Sequence, residues 1–163
     1  MGDIMASKWS ISAVLSLVLL MGGLAISAAS ATSDRGASQA TSGATVNVMQ
    51  SRLGLILVDA RGHSLYLYAT ETPSRILCTY DLLDCSHIWP PFLTQGKPRA
   101  GKGVNARLLG TAHRTKPAGL QVTYNGHPLY FLPADKKPGD VKGQAAFGAW
   151  WVVSPTGNAI KKR

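Results

Sequence analysis

Gly62-His63-Ser64-Leu65-Tyr66 returns as Gly126-His127-Pro128-Leu129-Tyr130, every matched residue displaced by 64 positions. Five residues past each tyrosine stands an acid, Glu71 in the first copy and Asp135 in the second. A match of this kind points to a duplicated unit. Working outward from the first copy, Leu53 to Val58 is apolar and β-rich and Asp59-Ala60-Arg61-Gly62 is a turn. Ser64 to Ala69 then sets Leu65 and Leu67 against Tyr66 and Tyr68 with the strand period of two. The second copy gives a strand over Leu120 to Tyr124, then Asn125-Gly126, the dipeptide suited to positive φ in a two-residue turn, then a strand from His127 to Leu132. Trp150-Trp151-Val152-Val153 has the aromatic and β-branched content of a sheet core. Asp84 to Ile88 can form one helical turn before Trp89-Pro90-Pro91 stops it. The expected fold is mainly β: two duplicated hairpin-plus-loop units, about 53–92 and 119–155, forming one pseudo-symmetric small domain after an N-terminal signal helix.

The flanks set the domain organisation. Residues 1–31 read as a signal peptide: Lys8 supplies a weak positive start, Ala13 to Ile26 is an almost unbroken apolar run, and Ala29-Ser30-Ala31 has the small residues of a cleavage site. The alternative is an uncleaved membrane anchor, since no charge occurs between Trp9 and Ser33. Residues 32–47, rich in Ser, Thr, Ala and Gly, read as a flexible linker. The β domain is expected over 48–155 and a basic tail over 156–163.

Seventeen Lys and Arg against eight Asp and Glu give the chain a net charge of +9. That balance favours anionic partners, which for an exported protein means phospholipid headgroups or teichoic-type or lipopolysaccharide phosphates. The basic residues form no helical stripe and no nucleic-acid motif, so nucleic acid is not expected as a partner. The membrane is expected as a partner only through residues 1–31, if they stay attached.

Cys78 and Cys85 lie in the exported part, where an oxidising compartment keeps a disulfide formed. The alternative adds His87 to the two thiolates as an incomplete soft-metal site. No nucleophile elbow, no His-Glu-x-x-His helix and no phosphate-cradling loop appears, so no catalytic activity is expected.

Several stretches together resemble the bacterial secreted repeat family, exported proteins and often lipoproteins with a Tyr-x-(Phe/Trp/Tyr)-x-x-Asp motif. They are Leu65-Tyr66-x-Tyr68-x-x-Glu71, Leu129-Tyr130-x-x-x-x-Asp135, Cys85-x-x-x-Trp89-Pro90-Pro91, Asp135-Lys136-Lys137-Pro138-Gly139-Asp140 and Trp150-Trp151-Val152-Val153. The resemblance spans Leu53 to Pro155 and implies export, without implying an activity. Glu71 replaces the motif's aspartate, Leu132 replaces its aromatic residue, and no lipoprotein cysteine is present.

The motif residues Tyr66, Tyr68, Glu71, Tyr130 and Asp135 admit a structural use, a phenol hydroxyl bonding a carboxylate or a turn amide across the loop. They also admit a metal reading in which His63, His127, Glu71 and Asp135 converge as ligands. No other cofactor is implied. Trp89, Trp150 and Trp151 are candidates for a binding platform, because neighbours on a strand point to opposite faces and one of the paired indoles is then expected outward. The function expected is a non-catalytic binding or structural role in the cell envelope, periplasmic or extracellular, or anchored in the cytoplasmic membrane. The alternative is a metal- or redox-associated periplasmic protein.

Overall fold

The computed structural model describes residues 43–162. The expected signal segment, 1–31, and residues 32–42 of the linker lie outside the described residues. The fold is mainly β. Strands β1 (Thr45–Ser51) and β2 (Gly54–Asp59) form an antiparallel hairpin that pairs Val46 with Asp59 at one end and Ser51 with Gly54 at the other. Gly54 takes φ 103 in this tight turn, and the Ser51 hydroxyl donates to the Gly54 carbonyl across it. β1 therefore begins inside the stretch read as linker. Its Thr, Asn, Gln and Ser side chains look linker-like in sequence, but Val46 is wholly buried and holds the strand in place.

After β2 the Asp59 carboxylate accepts the backbone N–H groups of Arg61 and His63, which fixes the turn. The chain then enters β3 (Tyr66–Tyr68). α1 (Cys85–Ile88) is the single helical turn expected, and it ends at Trp89. β4 (Leu93–Thr94) and β5 (Arg99–Ala100) are short. A second long hairpin follows, β6 (Leu109–Thr115) with β7 (Ala118–Tyr124). Asn125 and Gly126, at φ 49 and 77, make the positive-φ turn from β7 into β8 (His127–Pro128). β9 (Trp150–Val152) closes the order.

The pairing runs across the sequence. β9 pairs with β3, setting Leu67 opposite Trp151, while β4 pairs with β7, setting Leu93 opposite Gln121. The strand that follows each tyrosine motif is thus hydrogen-bonded to a strand from the other half of the described chain. Tyr66 and Tyr130 meet directly, each N–H donating to the other's carbonyl at 2.9 Å.

Neighbouring residues on these strands feed two separate clusters. Leu57, Leu65, Leu67, Leu129, Trp151 and Val153 pack on one face. Ile56, Val58, Tyr66, Tyr130, Trp150 and Val152 pack on the other. A sheet apolar on both faces must be covered on both, and each such fully buried side chain contributes about 1.5–3 kcal/mol. The C-terminal stretch supplies part of the cover: the Ile160 N–H donates to the Val152 carbonyl and the Lys161 ammonium sits 4.1 Å from the centre of the Trp151 ring. Residues 156–162, read as a tail, are in this respect part of the domain.

Candidate functional site

The two motifs are interlocked. The Tyr66 hydroxyl donates to Asp135 Oδ2 at 2.6 Å, and the Tyr130 hydroxyl donates to Glu71 Oε2 at 2.7 Å. Each phenol therefore serves the acid of the other motif, not the acid five residues along its own chain segment. The direct Tyr66–Tyr130 pairing places the two strands side by side and carries each hydroxyl toward the opposite loop. The second oxygen of each acid binds its own loop: Glu71 Oε1 accepts from Leu77 N and Cys78 N, and Asp135 Oδ1 accepts from Lys142 N. Gly143 N also donates to the Tyr66 oxygen at 3.2 Å.

Burial pushes both phenols above their ordinary range, reinforced for Tyr66 by the bond to Asp135 and for Tyr130 by the charge of Glu71. Burial likewise raises Asp135, opposed by its bonds from Tyr66 and Lys142 N. These are buried, satisfied groups that hold two loops against the sheets.

Between them lies an aromatic stack. Trp89 and Trp150 lie face to face, 4.0 Å between centroids and 3° from parallel, and Tyr68 stacks on Trp150 at 4.8 Å. Trp89 meets Tyr66, and Trp150 meets Tyr130, edge to face at 5.2 Å. Trp89, Trp150 and Trp151, read as a candidate platform, are mostly buried, and Trp89 and Trp150 line a groove of about 230 Å³ at the surface. Trp150 and Trp151 point to opposite faces and pack into separate clusters.

The four residues proposed as metal ligands are dispersed among other tasks. Glu71 and Asp135 hold phenols and backbone amides, His63 Nδ1 lies 3.4 Å from Asp59, and His127 Nδ1 is buried with no hydrogen-bond partner. Among the described residues no group of three or more His, Cys, Asp or Glu is placed to hold a metal ion. Cys78 and Cys85 form a disulfide and His87 pairs with Asp84, so the soft-metal alternative for these residues does not assemble.

Arg114 is a residue that sequence reasoning left among the dispersed charges. It is buried, and its guanidinium donates to Gln121 Oε1 at 2.6 Å, to the Cys78 carbonyl at 2.7 Å and to Ser86 Oγ at 3.0 Å. It also lies 5.9 Å from the centre of the Tyr130 ring, tying the disulfide loop to β6 and β7. Alternation along β6, with Ala112 and Arg114 both inward, is the one signal that points to it.

Where the turn of the first motif meets the loop of the second, a cleft of about 360 Å³ opens. Phe131, Pro90 and Pro133 give it an apolar floor, while Arg61, His63, Lys136 and the Asp135 carboxylate border it. The His63 ring stands edge-on to Phe131 at 6.4 Å. His63 Nδ1 and Arg61 Nε both lie 3.4 Å from Asp59 Oδ2, and the Arg61 side chain is 77% exposed.

Residues 113–154 match a secreted repeat of unknown function. The matched stretch of this secreted repeat runs from β6 through β9 and contains Tyr130, Asp135, Trp150 and Trp151. The first motif, Tyr66 to Glu71, lies outside it. No curated protein and no solved structure matches the chain. A secreted repeat fits an exported protein, and among the described residues no helix is long and apolar enough to cross a membrane.

Proposed function

We propose that the protein is a non-catalytic binding module of the cell envelope, built from a duplicated unit, whose cleft beside His63 takes an anionic envelope component. The duplication is supported by matched geometry: each motif tyrosine bonds the other copy's acid, and each pre-motif hairpin, β1–β2 or β6–β7, has the same pairing. The non-catalytic reading is supported by the fate of Glu71 and Asp135, the acid pair best suited to acid–base work. Both are buried and spent on phenols and backbone amides.

One observation carries the binding role: the cleft sets the Arg61, His63 and Lys136 side chains around a floor of Phe131, Pro90 and Pro133. An apolar floor suits a sugar ring or glycerol backbone, and a cationic border suits the phosphate or carboxylate it bears. The test is calorimetric titration of the chain from Thr32 onward with poly(glycerol phosphate), alongside an uncharged glycan. Binding of the anionic polymer alone is expected, weakened at least about tenfold in Arg61→Gln/Lys136→Gln and suppressed by salt. Equal affinity in that double variant would dispose of the assignment.

A further inference from the structure

β6 is the last strand of its sheet, whose order is β4-β7-β6. Every other described strand of three or more residues has backbone partners along both edges. β1 lies between β2 and β5, and β7 between β6 and β4. β2 also bonds Leu65 and Val153, β3 lies between β9 and Tyr130, and β9 also bonds Ala145 and Ile160. Pairing parity says which groups of β6 are left over. Opposite Thr111 stands Val122, whose N–H donates to the Phe92 carbonyl and whose carbonyl accepts from Leu129 N, both away from β6. Facing residues of an antiparallel pair exchange both bonds or neither, so the N–H and C=O of Thr111 also turn away from β7. With the period of two the same holds for His113. Among the described residues the backbone groups of these two have no other hydrogen-bond partner, and both side chains are exposed.

We infer that the outer edge of β6 is a strand-addition site that takes an extended acidic peptide segment. An open edge is a template for another chain, and folded proteins ordinarily blunt it with a bulge, a proline or a charge in the strand. β6 keeps unbroken register over seven residues, contains no proline, and its one permanent charge, Arg114, is buried and bonded inward. Beside the edge a cleft of about 190 Å³ opens where His113 and Thr115 face Pro73, Ile76 and Thr79, giving room for a side chain of the added strand. The flanking charges choose among extended chains. Arg107 stands two residues before β6, and Arg75 lies in the 73–79 stretch that walls the cleft. Both are exposed, and neither forms an ion pair among the described residues. A second copy would bring the same cations to this edge, with a net charge of +9 on each side. Carboxylates on alternate residues of an added strand meet those cations instead.

The test is an NMR titration of the nitrogen-15-labelled chain from Thr32 onward with the capped peptide Thr-Glu-Val-Glu-Val-Glu-Thr, at up to about 5 mM and low salt. Shifts centred on Thr111 and His113 are expected, with slowed hydrogen exchange of those two amides. The same peptide N-methylated at its central residues has no donors to offer an edge, and Thr-Lys-Val-Lys-Val-Lys-Thr reverses the charge. Each should bind at least about tenfold more weakly. Thr111→Pro removes an outward donor that β7 does not use, so it should weaken binding while the melting temperature stays within a few degrees of wild type. Absence of shifts at Thr111 and His113 across the range would overturn the inference. So would an N-methylated peptide that binds as well as its parent, or shifts centred on Arg61 and Lys136. Protection of the two amides that rises with protein concentration in the absence of peptide would assign the edge to a second copy and overturn it as well.

Discussion

At Tyr130 a single hydroxyl decides whether Glu71 keeps a full set of donors in a buried position. Removing it in Tyr130→Phe leaves a carboxylate oxygen short of a partner, and a loss of about 1–3 kcal/mol is expected in urea unfolding. The crossing itself is read out by double-mutant cycles. Tyr66→Phe should couple to Asp135→Asn by more than about 0.5 kcal/mol, and should add independently to Glu71→Gln. The pH dependence follows from the same burial. Tyr66 and Tyr130 have folded-state pKa values above the unfolded value of 10.0, so above that pH the unfolded chain releases protons that the folded chain retains. Stability is then lost as pH rises past about 10, at roughly 1 kcal/mol per pH unit for each phenol. Asp135, also raised by burial, acts with the same sign at acidic pH: its contribution is fully present below its unfolded pKa and is lost as pH rises through the folded one. Alkaline melts of wild type and Tyr66→Phe/Tyr130→Phe check the phenol part, the double variant showing a flatter decline above pH 10. The residues of this network were legible from the spacing of Leu-Tyr and acid. Their partners were not, because a spacing along one strand says nothing about which loop a hydroxyl reaches across a sheet.

Among the elements, those with local signatures were the readable ones. The Asn125-Gly126 turn, the single helical turn after Asp84 and the strand at Trp150 all follow from residues within a few positions of each other. β1 was hidden, because its pairing with β2 is supplied by tertiary contacts while its own side chains are mostly polar. The two turns near Asn125 make a quantitative comparison. Gly126 has φ 77 and nothing within 4 Å of an added Cβ, so Gly126→Ala should cost only the conformational term, about 1 kcal/mol. Gly157 has φ 83 and an added Cβ would lie 2.3 Å from that of Asn125, so Gly157→Ala should destabilise more. Thermal melts of the two variants rank them. Replacing both Cys78 and Cys85 by alanine opens a loop of about eight residues and should cost roughly 2.5 kcal/mol in the chain-entropy account, measurable by urea unfolding.

For the molecule as a whole, the crossed pairing of β9 with β3 and of β4 with β7 makes the two halves of the described chain mutually dependent. Residues 43–104 lack the β9 partner of β3, and residues 105–162 lack the β4 partner of β7. Neither fragment is expected to give a dispersed amide NMR spectrum alone, and mixing them should restore one; a dispersed spectrum from either alone would contradict this account. The crossing was invisible beforehand. The matched Gly-His-x-Leu-Tyr stretches read the same whether the strand after each one returns to its own half of the chain or crosses over. The exposed Leu83 and Phe147, at φ 46 and 52, were equally unreadable, since neither is the glycine or asparagine that ordinarily announces a left-handed backbone.

The pairing of Tyr66 with Val152 also fixes an order of events. A chain synthesised amino end first delivers β3 long before the strand that completes it, so the first half has no closed core until β9 has been made.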